Sequence, residues 1–282
     1  MQLHFLSCLG LSGFHRLGYR EWAGPPGAPT LLCVHGLTRN SRDFDALARA
    51  LSQVYRVVCP DMPGRGLSEN LGDPAHYSYP TYLADLAALI ARLDVESVDW
   101  VGTSMGGVLG MMMAAQPGTP VRRLVLNDIG AVVAKAGLER IAGYVGLDRS
   151  FETLDALADA MAAGFAGSGK LPRATLLGIA EGAARRRPDG RFGFAYDLRI
   201  ADVFKTNPPQ DVDLFPVWDR IACPILALRG EISDVLTAQT AAEMTRRGPR
   251  AKIVEIAGVG HAPWLSTPDE IAVVADFLRG AR

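Results

Sequence analysis

Val98-Asp99-Trp100-Val101-Gly102-Thr103-Ser104-Met105-Gly106-Gly107-Val108-Leu109-Gly110-Met111-Met112-Met113 is the stretch on which the fold turns. Val98 to Val101 alternates in the manner of a strand, Gly102 to Gly106 is a sharp turn, and an apolar run of helical length follows and stops before Pro117. In Gly-x-Ser-x-Gly the serine occupies the apex of the turn in a strained conformation, and the flanking glycines let strand and helix approach without a Cβ clash. Ser104 Oγ is thereby pushed out at the carboxyl edge of a sheet, facing the first N–H groups of the following helix. Taken alone, the pentapeptide also fits a glycine-rich connection with a capping serine. The neighbouring sequence has to supply a base, an acid and an oxyanion site.

Upstream, Phe14 to Trp22 reads as an antiparallel strand ended by Gly24-Pro25-Pro26-Gly27. Thr30 to His35 is a strand covered on both faces, and Gly36 frees the chain to expose the Leu37 N–H, a candidate oxyanion donor. His35 is read as a structural histidine bonding nearby backbone. A helix is predicted over Ser41 to Leu51, a buried strand over Tyr55 to Cys59, an architectural turn over Pro60 to Ser68, and a helix over Thr81 to Leu93.

Downstream, the strand Arg122 to Leu126 closes on Asn127-Asp128. From about Gly130 the β–α alternation stops. Helical pieces are predicted at Leu138 to Tyr144, Phe151 to Phe165, Arg173 to Arg187 and Tyr196 to Lys205, punctuated by Gly167-Ser168-Gly169 and Pro208-Pro209. The division expected is a catalytic domain of residues 1–130 and 214–282 interrupted by an all-helical cap, 131–213. The strand Ile225 to Arg229 leads into Gly230-Glu231-Ile232-Ser233-Asp234, with a helix from about Ala238. Lys252 to Ile256 is the last strand, followed by Gly260-His261 and a capping box, Thr267-Pro268-Asp269-Glu270.

The chain has 282 residues, 49% of them hydrophobic, enough for a sizeable core, and a formal charge of −1 gives no electrostatic case for nucleic acid or an anionic membrane surface. Arg185-Arg186-Arg187 reads as the solvated end of a helix. The four cysteines, Cys8, Cys33, Cys59 and Cys223, are widely spaced, with no Cys-x-x-Cys and no nearby histidine pair, so neither zinc nor a disulfide framework is indicated. Free thiols fit a reducing compartment, and the cytoplasm is expected. No apolar run approaches the roughly 20 residues that span a bilayer. Met1 to Leu11 is apolar but lacks the basic start and small-residue cleavage site of a signal peptide.

Strand–helix alternation implies a mostly parallel sheet with its ligand crevice at the carboxyl ends of the strands. His35, Ser104, Asp128, Asp234 and His261 all fall just after predicted strands. A serine needs a base to remove its proton, and the base needs a carboxylate on its second ring nitrogen. His261 is the candidate base, since Gly258 and Gly260 free its loop to swing over the sheet edge. For the acid, Asp234 is favoured over Asp128, which is read as a helix-capping or lid-anchoring residue; Glu231 ranks third. The order Ser104, Asp234, His261 is nucleophile, acid, base. No metal or other cofactor is needed by such chemistry, and none is expected.

These residues resemble the α/β-hydrolase superfamily, on His35-Gly36, Asp61 to Ser68, Gly102 to Gly107, Arg229 to Asp234 and Gly260 to Pro263. The resemblance covers essentially the whole chain and implies an α/β fold: a mostly parallel sheet flanked by helices, with an inserted helical cap. It also implies that the Met105 N–H joins that of Leu37 in an oxyanion hole, each donor worth roughly 3 kcal/mol in the transition state. Arg65 stands where relatives often carry histidine. Relatives that cleave epoxides or haloalkanes have aspartate in place of Ser104, so acyl transfer to water is the expected chemistry. The Ser-Met-Gly-Gly motif is similar to that of small carboxylesterases, meta-cleavage-product hydrolases and enol-lactonases. A small or medium ester is the expected substrate, with Arg39 and Trp264 as binding residues; Arg39 would suit a carboxylate, as in a keto acid or a hydroxyalkanoate oligomer. Met111-Met112-Met113 is read as helix core. A ligand sensor without turnover would carry the same residues. The protein is expected to be a monomer or homodimer.

Overall fold

The computed structural model describes residues 1–164 and 171–280. Six strands come first: β1 (Gln2–Gly10), β2 (Gly13–Trp22), β3 (Thr30–Val34), β4 (Arg56–Pro60), β5 (Val98–Thr103) and β6 (Val121–Asn127). Between them lie α1 (Asp45–Leu51), preceded by a 3-10 turn at Ser41–Phe44, then α2 (Tyr79–Leu93) and α3 (Met105–Ala114). Next come β7 (Val132–Val133), α4 (Lys135–Ala142), α5 (Leu154–Gly164), α6 (Arg173–Ala183), β8 (Ala184–Arg186), β9 (Phe192–Phe194), α7 (Asp202–Thr206) and β10 (Val212–Asp213). The chain finishes with α8 (Phe215–Trp218), β11 (Ile225–Gly230), α9 (Ala238–Met244), β12 (Lys252–Ile256) and α10 (Pro268–Gly280).

Eight strands form one sheet in the order β1-β2-β4-β3-β5-β6-β11-β12. β1 with β2 and β2 with β4 are antiparallel; the remaining pairs are parallel. From β3 the order runs outward in both directions, to β4 on one side and β5 on the other. That switch point opens a crevice above the carboxyl ends of β3 and β5, where Leu37 and Ser104 emerge.

Pleating sends alternate side chains to opposite faces. Leu32, Val34 and Trp100 pack with α2 and α3 on one face; Leu31, Cys33 and Val101 pack with α1 and α10 on the other. Every residue of β3 is buried, as the unbroken apolar run requires. Met111 and Met113 lie in the core and Met112 packs against it.

Three departures from the sequence-based expectations have local causes. Gln2–Gly10 is an edge strand paired in register with Gly13 to Glu21 of β2, and its apolar side chains Leu3, Phe5 and Leu9 face outward. The alternation was masked by apolar residues on both faces. The segment between β6 and α8 is not all helix: β8 and β9 form a hairpin, and β7 pairs with β10. The helix predicted through Arg187 stops at Ala183 because Pro188-Asp189-Gly190, with Gly190 at φ 80°, makes a turn that returns the chain along Arg185 and Arg186. Tyr196 to Lys205 is a 3-10 turn, Leu198–Ala201, followed by the short α7. Phe165 and Gly167-Ser168-Gly169 lie outside the described residues. No described helix is long and apolar enough to cross a membrane.

Candidate active site

Ser104 sits between β5 and α3 at φ 51°, ψ −117°, a left-handed geometry that side chains rarely adopt. Two glycines make the turn sterically possible. A Cβ on Gly102 would lie 2.3 Å from Gly106 O, and one on Gly106 would lie 2.0 Å from Val34 O. The strand, the turn and β3 therefore close on one another as only hydrogen side chains permit.

His261 reaches this serine from the loop after β12: its Nε2 is 3.0 Å from Ser104 Oγ. The other ring nitrogen, Nδ1, is 2.7 Å from Asp128 Oδ2. A carboxylate only accepts, so Nδ1 carries the proton, leaving the Nε2 lone pair to accept from the hydroxyl. Asp128 follows β6 at φ 54° and is fully buried. Besides the imidazole, its carboxylate accepts from Gly230 N–H at 2.7 Å and Ser233 Oγ–H at 2.6 Å. Three donors replace the water it has lost.

This corrects the choice of acid. Asp234 lies four residues beyond the end of β11 and turns away to Arg140 on α4, accepting from Nε at 2.5 Å and Nη2 at 2.8 Å. The Arg140 hydrogen bonds hold its carboxyl below the usual range, with His261 contributing only a weaker attraction. Asp128, read from the sequence as a cap or lid anchor, is instead the carboxylate against the imidazole. Ser233 and Asn127, which the sequence did not single out, support it. Asn127 Nδ2–H donates to Pro263 O at 2.8 Å and Thr103 Oγ1 at 3.0 Å, tying the histidine loop to the serine turn.

His35 is wholly buried. Its Nδ1–H donates to Gly36 O at 2.7 Å while Nε2 accepts from Met62 N–H at 2.9 Å. Both nitrogens are used by a neutral ring, and burial pushes its pKa down to about 3. Gly36 C=O and Leu37 N–H belong to one peptide plane, so this bond sets the direction of the Leu37 N–H. On the next plane, Leu37 C=O accepts from Arg65 Nε at 2.8 Å. Arg65 is buried, donates also to Pro63 O and Tyr82 Oη, and stacks its cation over the Tyr77 and Tyr82 rings. Among the described residues no carboxylate lies within ion-pair distance of it, so ring faces and carbonyls carry the charge. The Met105 N–H belongs to the first turn of α3, where no intrahelical acceptor is available.

The cleft over Ser104 is lined by Leu37, Arg39, Ile141, Tyr144, His261 and Trp264, among others. Arg39 pairs with Asp43 in the same cleft, lies 5.5 Å over the Trp264 ring, and has Nη1 3.9 Å from Met161 Sδ. Trp264 itself packs against the small core that joins α5 and α6. Such an arrangement can deprotonate a serine hydroxyl, direct it at a carbonyl, and return the proton to a leaving group.

The model of the family described as "Alpha/beta hydrolase family" matches residues 31–274. The chain is 41% identical to a 3-hydroxybutyrate-oligomer hydrolase of Cupriavidus necator, over 99% of this chain and 98% of that protein. Among solved structures, a putative hydrolase from Rickettsia typhi superposes with a TM-score of 0.94 at 31% identity over the full length of both chains. An alpha/beta hydrolase from Novosphingobium aromaticivorans gives 0.89 at 40% identity, over 98% and 97% of the two chains.

Proposed function

Since the chain belongs to the alpha/beta hydrolase family, we propose that it is a serine esterase acting on short oligomers of 3-hydroxybutyrate or closely similar hydroxyacid esters. The observation that carries the proposal is the continuous contact from Ser104 Oγ through His261 to Asp128 at the switch point of the sheet. Ser104 attacks the ester carbonyl as His261 Nε2 takes its proton, and Asp128 stabilises the imidazolium that results. The N–H groups of Leu37 and Met105 receive the oxyanion. Collapse of the tetrahedral adduct expels the alcohol, protonated by His261, and leaves an acyl-Ser104. Water activated by His261 then releases the acid.

The substrate class rests on the identity to the oligomer hydrolase across both lengths. It also suits a cleft in which an arginine–aspartate pair, Arg39 and Asp43, lies beside apolar walls: a hydroxyacid ester offers a carbonyl and methyl-bearing chain to the walls and polar ends to the pair. Residues 131–213 act as the cap, with Ile141 and Tyr144 over the cleft, and four free thiols favour the cytoplasm.

Purified protein is to be assayed on linear 3-hydroxybutyrate dimer and trimer beside p-nitrophenyl acetate and butyrate, with fluorophosphonate labelling and mass mapping. Multiple turnovers on the oligomers, and label on Ser104 that is lost in Ser104→Ala, are expected. Turnover of the p-nitrophenyl esters without any of the oligomers would reject the substrate class. A single slow burst with retained acyl label would reject the enzyme and favour a sensor.

A further inference from the structure

A second group of chemically active side chains lies away from the serine, where the β1–β2 hairpin meets α2. Cys8 and His15 face each other as register partners across the hairpin. Asp85, on α2, reaches them both: its Oδ2 is 2.9 Å from His15 Nε2, and its carboxylate lies within 4.8 Å of the Cys8 sulfur. One donor atom from each of the three lies within 4.8 Å of the others, and all three residues are buried. No local pattern points to this, since His15 lies seven positions after Cys8 and Asp85 seventy after His15. The hairpin register and the docking of α2 assemble the group.

Two features distinguish it from an ordinary hydrogen-bonded brace. His15 Nδ1 is buried and has no hydrogen-bond partner among the described residues, which leaves one nitrogen of a sequestered imidazole idle. The space beside that nitrogen is kept open by Gly10, where a Cβ would come within 3.3 Å of it. A cavity of about 70 Å³, bordered by Gly10, His15, Leu71 and Thr81, leads to the ring. At about 30 Å³ per water, it has room for a solvent ligand and a route of entry.

We propose that Cys8, His15 and Asp85 form a binding site for one divalent cation of the zinc class, with water from the adjoining cavity as the fourth ligand. Sulfur, nitrogen and carboxylate donors suit zinc and cobalt better than magnesium or calcium, which favour oxygen alone. A thiolate, a carboxylate and a neutral imidazole balance a dipositive ion, so the buried site has no net charge. On binding, the Cys8 thiol proton is released to solvent and the His15 proton passes from Nε2 to the idle Nδ1, so that the Nε2–H bond to Asp85 is exchanged for an Nε2–metal bond. The cation would staple the edge hairpin to α2.

The test is titration of chelator-treated protein with Co2+, followed by competition with Zn2+. One equivalent of cobalt with a sulfur-to-metal charge-transfer band is expected, displaced by zinc, and present equally in Ser104→Ala, which separates this site from the serine centre. Cys8→Ser should abolish the band, and His15→Gln, which keeps a hydrogen bond to Asp85, should weaken binding at least about 10-fold. A thermal midpoint rising with the logarithm of zinc concentration in the wild type provides a reading that needs no variant. Absence of the band together with a midpoint indifferent to zinc overturns the site, as does a band that survives in Cys8→Ser.

Discussion

At the scale of single residues, two aspartates competed for one imidazole, and packing separated them. Asp128 takes φ 54° immediately after β6, receives Gly230 N–H from the neighbouring strand, and has nowhere else to point. Asp234 has a cation of its own. Asp128→Asn is therefore expected to lower kcat by about 10⁴, because an amide cannot hold the imidazole in the required tautomer. Asp234→Asn should stay within about 10-fold of the wild type. Steady-state kinetics of the two variants decide the assignment, and a dead Asp234 variant beside an active Asp128 variant would reverse it. His35 carries a pH dependence. Its folded pKa, about 3, lies below the ordinary 6.5, so the unfolded chain binds a proton that the native ring refuses. The stability it contributes is complete above 6.5 and is lost as pH falls toward 3. Unfolding free energies from urea titrations should decline by on the order of 1 kcal/mol per pH unit through that window, and His35→Gln should flatten the slope.

At the scale of elements, the turn from β5 to α3 has no spare volume. Gly106→Ala places a methyl 2.0 Å from Val34 O, a backbone atom that cannot move aside without displacing β3. It is expected to destabilise the protein by about 2–3 kcal/mol or more, read as a lower urea midpoint. Gly178, inside α6, is the contrasting case: an added Cβ meets nothing within 4 Å. Gly178→Ala should stabilise by about 0.5–1 kcal/mol through helix entropy alone. The Arg140–Asp234 pair links α4 to the loop after β11, and both side chains are about one-third exposed, at 32% and 34%. Arg140→Met is thus expected to cost under about 1 kcal/mol of stability. Because α4 carries Ile141 over the cleft, the same variant should raise KM severalfold with kcat within about 2-fold.

At the scale of the whole molecule, the parts readable in advance were those that local physics dictates. The serine turn follows from two glycines that must touch backbone. The buried strands follow from unbroken apolar runs. The start of α10 follows from Thr267, whose Oγ1 accepts from Glu270 N–H, and from Glu270, whose carboxylate accepts from the N–H groups of Ser266 and Thr267 just before the helix. The contact of His261 with Ser104 was legible because few histidines follow a strand in a glycine loop. The hairpin of β8 and β9 was harder, since alanine and arginine favour helix and only the Pro188 turn overrides them.

The sequence by itself pointed to the buried parallel strands and to Ser104 and His261 as candidate nucleophile and base, because these depend on periodicity and on the few conformations that glycine and proline allow. Only the tertiary structure decided which carboxylate serves the imidazole and that Cys8, His15 and Asp85 meet. Those outcomes turn on distances of a few ångströms between side chains remote in the chain. Strand register, the docking of α2 and the claim of Arg140 on Asp234 set those distances, and no local pattern encodes them.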